Sequence, residues 1–234
     1  MTPTPRSDAL TEAPRDPSRA LAVSRWRSWA QQARAIVYDF DGTLVDSNPI
    51  KIEAFDVCFA QHRDRLDAIR AYCRGHHDIP RGEKFRHVVE QILGERYTPE
   101  VAADLHARFE QATTPRVIHA REIPGALAFV RSMRAGRFTA LLSTTPHDSL
   151  LRVLEARGWV GLFERIQGSP VRKADWLRAL RSERGLGAAD LVFIGDTEED
   201  RRAAENGGCA FVPVSAGSGE RLALGIADFA ELAP

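Results

Sequence analysis

The chain has 234 residues, 44% apolar and 27% charged, and its 32 basic and 32 acidic residues give a formal net charge of zero. That length supports one substantial core, or one core carrying a smaller inserted domain. The balanced charge lacks the footprint of a nucleic-acid or membrane binder, and no apolar run reaches spanning length.

Residues 1–20 are rich in Pro, Thr, Ser, Arg and Asp, and read as a disordered tail. Residues 21–34 predict a short helix with Trp26 and Trp29 on one side, packed on the core rather than offered to a partner. The run AIVYDF (35–40) predicts a buried strand ending in a polar loop. Similar apolar runs predict strands at 137–142 and 191–194, with further ones at 164–167 and 209–214. Helical patterns separate them: 124–134, 147–158, 174–185 and 198–208, several closed by Gly. Strands alternating with helices imply a Rossmann-like, doubly wound parallel sheet. Its ligand belongs at the carboxyl ends of the strands.

From Thr43 to about Ile123 the alternation breaks. The segments NPIKIEAFDVCFAQH, RLDAIRAYC, GEKFRHVVEQILG and TPEVAADLHARFEQ are all helical in pattern. This predicts an all-helical cap, residues 47–120, inserted after the first strand. Residues 35–46 and 121–234 then make the catalytic core. Cys58, Cys73 and Cys209 form no CxxC pair, so a disulfide framework is not expected and a reducing cytoplasm fits. Arg supplies 29 of the 32 basic residues; Lys51, Lys84 and Lys173 are the three lysines. An ammonium and a guanidinium are not interchangeable at a tight site, so each lysine draws interest.

Asp39 and Asp41 lie two residues apart at a strand end, so both side chains point roughly one way. Paired carboxyls can divide the roles of nucleophile and general acid/base. Gly42 permits a sharp turn and close backbone approach, and Thr43 can donate a hydrogen bond. Alone, the pattern reads equally as an Asp-Gly hairpin turn. Three features tip it toward a site. Ser143, with Thr144 and Thr145, follows a strand and could cradle phosphate. Lys173 near a helix N-terminus opposes the macrodipole unless it faces an anion. Asp196 follows another strand, with Glu198, Glu199 and Asp200 behind it. Such carboxylates suit a hard cation such as magnesium, though Glu198 and Glu199 also suit the helix N-terminus that follows.

In order, DFDGTL, LLSTT, Lys173 and GDTEED resemble the haloacid dehalogenase-like hydrolase superfamily. The resemblance spans about residues 35–232 and is nearest the phosphoglycolate phosphatase and β-phosphoglucomutase-like branch, whose helical cap follows the first strand. It implies a Mg2+-dependent phosphatase acting on a small phosphomonoester. Asp39 would form an aspartyl-phosphate, and Asp41 would protonate the leaving alcohol and then activate water. Ser143 would hold a phosphoryl oxygen, and Lys173 would neutralise charge. Asp39, the Asp41 carbonyl and Asp196 would bind the metal, with Asp200 in support. Two departures stand out. Lys173 lies in PVRKADWL without the common Lys-Pro pairing and beside Arg172, and Thr144 stands where Asn is frequent. Gly42, Thr43 and Thr144 are expected at the substrate.

In the insertion, GHHDIPRGEKF (75–85) gathers His76, His77, Arg81 and Lys84. Arg81 and Lys84 are expected to contact a polar or anionic substrate, against a solvated inter-helix turn as the other reading. The paired histidines lack a third ligand at metal spacing. A phosphomutase is the rival activity, since Asp41 serves both. Dehalogenation calls for neither Asp41 nor magnesium, and a non-catalytic partner-binding module conflicts with the filled catalytic positions. The sequence leaves the oligomeric state open.

Overall fold

The computed structural model describes residues 17–76, 79–216, 222 and 224–233. Most of the expected tail and His77 lie outside them. Five strands form one parallel sheet: β1 Ala35–Tyr38, β2 Phe138–Pro146, β3 Arg165–Ser169, β4 Leu191–Gly195 and β5 Ala210–Pro213. Their order is β3-β2-β1-β4-β5, which centres β1. The neighbours of β1 are in register from Ala35 to Tyr38, opposite Phe138–Leu141 and Leu191–Ile194.

Strand alternation divides the core. Ile36 and Tyr38 face one side of the sheet with Leu141, Val192 and Ile194. Ala35 and Val37 face the other with Ala140, Leu142, Leu191 and Phe193. Because both faces are covered, β1 and β4 read as unbroken apolar runs rather than alternating ones. The first face is covered by α1 (Pro17–Gln32), α6 (Ala126–Met133) and α7 (His147–Ala156). The second is covered by α8 (Lys173–Arg184) and α9 (Glu198–Gly207).

Helix α1 starts at Pro17, so residues 17–20 are helical rather than tail. A proline in the first turn is pre-set for a helix and loses no bond there. Trp26 is buried in the main core, and Trp29 packs against it. Strand β2 runs beyond its predicted end and takes in Ser143, Thr144 and Thr145; its register with β3 shifts between Leu142 and Pro146.

Between β1 and β2 stand the cap helices α2 (Asn48–Cys58), α3 (Leu66–Gly75), α4 (Arg81–His87) and α5 (Pro99–Ile118). A five-residue π-helical turn, Val88–Ile92, continues α4. The cap has its own core, in which Phe55 meets Phe85 and Phe109 edge-on. The architecture is thus a parallel α/β core with an all-helical cap inserted after the first strand. No helix among the described residues is long and apolar enough to cross a membrane.

Candidate active site

Three strand ends converge. The Asp39 N–H donates to the Ile194 carbonyl at 2.8 Å, which ties the first acid to the end of β4. The chain then turns at Gly42, whose φ is +76°. A Cβ there would lie 2.0 Å from Asp196 Oδ2, so only glycine admits this approach. Thr43 is fully buried, and its hydroxyl donates to Asp196 Oδ1 at 3.2 Å. Asn48, the first residue of α2, donates to Asp196 Oδ2 at 2.9 Å.

Lys173, rather than its exposed neighbour Arg172, enters this site. Its Nζ lies 3.1 Å from Asp39 Oδ1 and 2.6 Å from Asp200 Oδ1. Burial alone would lower its pKa; Asp200 and Asp39 outweigh that and raise it, so the ammonium form is held. Asp200 has a second task. Its Oδ2 accepts from the Thr197 hydroxyl at 2.6 Å and from the Thr197 N–H at 3.2 Å, closing the capping box of α9.

Asp39, Asp196 and Asp200 are all buried and each offers an oxygen within 4.8 Å of the others. Burial raises the Asp39 carboxyl well above its ordinary range; neighbouring acids add to this and Lys173 opposes it. Burial, with Asp200, pushes Asp196 up to about 7. Three carboxylates thus face one ammonium. A divalent cation would balance the remaining charge, and hard oxygen donors suit magnesium. The donor set therefore fits a Mg2+ ion.

Asp41 is held apart from that trio. Its Oδ1 accepts from the Ser47 hydroxyl at 2.6 Å. Its Oδ2 accepts from the Thr145 hydroxyl at 2.8 Å and more weakly from the Ser143 hydroxyl at 3.5 Å. Lys51 Nζ lies 2.5 Å from the same oxygen. Burial would raise the Asp41 pKa; Lys51, Ser47 and Thr145 overcome it and hold the carboxyl below its ordinary value.

A cavity of about 850 Å³ opens between core and cap. Asp39, Asp41, Lys173 and Thr144 line it from the core, and Arg81 and Lys84 line it from the cap. Arg81 Nη2 lies 3.5 Å from Glu110 and its guanidinium stacks on Phe109. Lys84 is buried near the Phe55 ring. His76 makes a hydrogen bond through Nδ1 with the Tyr72 carbonyl at 2.8 Å. The sequence assigns no role to Ser47 or Asn48, marks Lys51 only as one of three lysines, and offers Thr145 for phosphate rather than for Asp41. Ser47 and Asn48 carry no signal beyond their nearness to the first motif.

The family model for haloacid dehalogenase-like hydrolases matches residues 36–205. A phosphoglycolate phosphatase from Rhodobacter capsulatus is 29% identical over 196 residues, covering 77% of this chain and 83% of that protein. Among solved structures, CbbY from Rhodobacter sphaeroides in complex with phosphate aligns with a TM-score of 0.64 at 21% identity, covering 86% of this chain and 96% of that one. The putative hydrolase YfnB from Bacillus subtilis, bound to magnesium, aligns with a TM-score of 0.64 at 14% identity, covering 86% and 97%. With the motif residues gathered at the strand ends beneath a helical cap, the chain belongs to the haloacid dehalogenase-like hydrolase family.

Proposed function

We propose that this hydrolase cleaves a small phosphomonoester with magnesium, through a phosphorylated Asp39. The observation that carries the reading is Asp39 itself: a buried carboxylate lining the cavity, with Lys173 at 3.1 Å and two further acids within metal-binding reach. A Asp39 oxygen attacks phosphorus as the bond to the leaving oxygen breaks. Asp41 gives its proton to the leaving alcohol. Asp41 then takes a proton from water as that water attacks the aspartyl-phosphate, releasing orthophosphate and restoring Asp39.

The stance of Asp41 suits the second half, because both oxygens accept and the group is ionised. The first half needs Oδ2 protonated, so Lys51 and Thr145 must turn to other acceptors. Ser143 is assigned to a phosphoryl oxygen, and Lys173 to charge on Asp39 and phosphate. Asp200 holds Lys173 in place from the rear. Asp39, Asp196 and the Asp41 carbonyl would hold Mg2+, with Asp200 in support. When bound, the ion neutralises charge on the transferring phosphoryl group. Gly42 and Thr43 shape the floor through Asp196, and Thr144 faces the substrate at the cavity wall.

The substrate reading follows from the cap and the relatives. Arg81 and Lys84 bring positive charge to the cavity, and the related proteins are named for phosphoglycolate. A magnesium-supplemented panel of phosphorylated small acids, sugars and nucleotides tests it. Arg81→Ala and Lys84→Ala are expected to lower kcat/KM for the preferred ester by about tenfold or more each. Unchanged values would remove the cap from substrate recognition. Phosphorus NMR of the same reaction separates hydrolysis, which ends in orthophosphate, from mutase turnover, which passes through a bisphosphate.

A further inference from the structure

All three lysines of this arginine-rich chain line the same cavity. Lys173 serves Asp39 and Asp200, and Lys84 is buried in the cap. Lys51 has no part in the chemistry above beyond holding Asp41. It lies in the first turns of α2, the first cap helix, with 27% of its side chain exposed. Its Nζ touches Asp41 Oδ2 at 2.5 Å and donates to the Thr145 hydroxyl at 3.0 Å. An ammonium has three N–H donors, and these contacts use two.

We propose that Lys51 is a specificity-determining residue that binds an anionic group on the leaving portion of the substrate, beside the ester oxygen. The proposal rests on the phosphatase reading, because it takes Asp41 as the group serving the leaving oxygen. Oδ2 of Asp41 is the oxygen held against Lys51 and Thr145. One hydrogen bond from that atom to the leaving oxygen spans about 2.7 Å, so Nζ comes within about 5 Å of the leaving oxygen. A carboxylate on the adjoining carbon closes that gap. Such a carboxylate also arrives beside Asp39 and Asp41, where like charges repel it. Lys51 is the cation placed to offset that repulsion. Arg81 is turned toward Glu110 and Phe109.

Calorimetry on the full, magnesium-loaded chain tests this with two non-hydrolysable probes that differ in charge, 3-phosphonopropionate and propylphosphonate. The wild type is expected to prefer the carboxylate probe by about tenfold. Lys51→Met abolishes the preference, and Lys51→Arg, which keeps the charge, retains most of it. Three results overturn the proposal: no preference in the wild type, a preference that survives Lys51→Met, or one lost as completely in Lys51→Arg as in Lys51→Met. Binding needs no turnover, so these outcomes stay separate from a failure of the phosphatase reading, which magnesium-dependent hydrolysis tests.

Discussion

Single residues at this site are defined by the charges around them. Asp39 and Asp196 are carboxyls whose burial favours the protonated form, while Asp41 is a carboxyl whose donors favour the ionised form. This has a consequence for stability. Asp196 stands at about 7 in the folded protein, against an unfolded value of about 4. The folded state therefore binds the more protons, and Asp196 contributes a loss of stability as pH rises from about 4 through about 7. Asp41 acts in the opposite sense and lower: its contribution is present above its unfolded value and is lost as pH falls through its folded one. In a chelator, the urea midpoint is expected to fall as pH rises from about 5 to about 7.5. Magnesium offsets that fall, and Asp196→Asn flattens it. A slope unchanged in Asp196→Asn would contradict the assignment.

The residues legible in the sequence share one property. Asp39, Ser143 and Asp196 each interrupt an apolar run abruptly, and Lys173 stands against the dipole of its own helix. These are local conflicts, and a local reading finds them. Ser47, Asn48 and Lys51 break no local rule. Ser47 and Asn48 read as an ordinary helix start before Pro49, and Lys51 as one polar position on an amphipathic helix. Their contacts with Asp41 and Asp196 exist only once the first turn of α2 is laid over the ends of β1 and β4. Asp200 shows a related limit. Its spacing from Thr197 marks a capping box, yet its bond to Lys173 depends on how α8 and α9 pack.

At the scale of elements, β1 and β4 are legible because burial on both faces leaves no polar interruption, whereas the half-buried β3, with Arg165 and Gln167, carries a weaker signal. The edges were less so. The apolar signal of β2 stops at Leu142, yet pairing carries the strand on to Pro146, since a hydrogen-bonded ladder does not require apolar side chains. Helix α1 gives the reverse case: its polar surface hides the Pro17 start, and its hold on the core comes through Trp26 and Ala30. Trp26→Ala is therefore expected to destabilise the protein by about 3–5 kcal/mol, read as a lowered urea midpoint. A midpoint equal to wild type would mean that α1 is not part of the folding unit.

For the whole molecule, the insertion point is the organising fact. The cap leaves the core directly after the Asp39–Thr43 turn, so its first helix begins within hydrogen-bonding reach of Asp41 and Asp196. The cap's own aromatic core lets it stand as a unit, while Lys51 and Asn48 tie it to the site. The cavity is lined by core and cap together, so a substrate bound there would touch both and join recognition to the reacting centre.

The central claim is that Asp39 is the nucleophile of a magnesium-dependent phosphatase. Hydrolysis of p-nitrophenyl phosphate by the wild type and by Asp39→Asn, each with magnesium and with a chelator, tests it most directly. The account predicts wild-type turnover that requires magnesium, and a fall of about 10³-fold or more in Asp39→Asn. Turnover in Asp39→Asn that matches the wild type would contradict it.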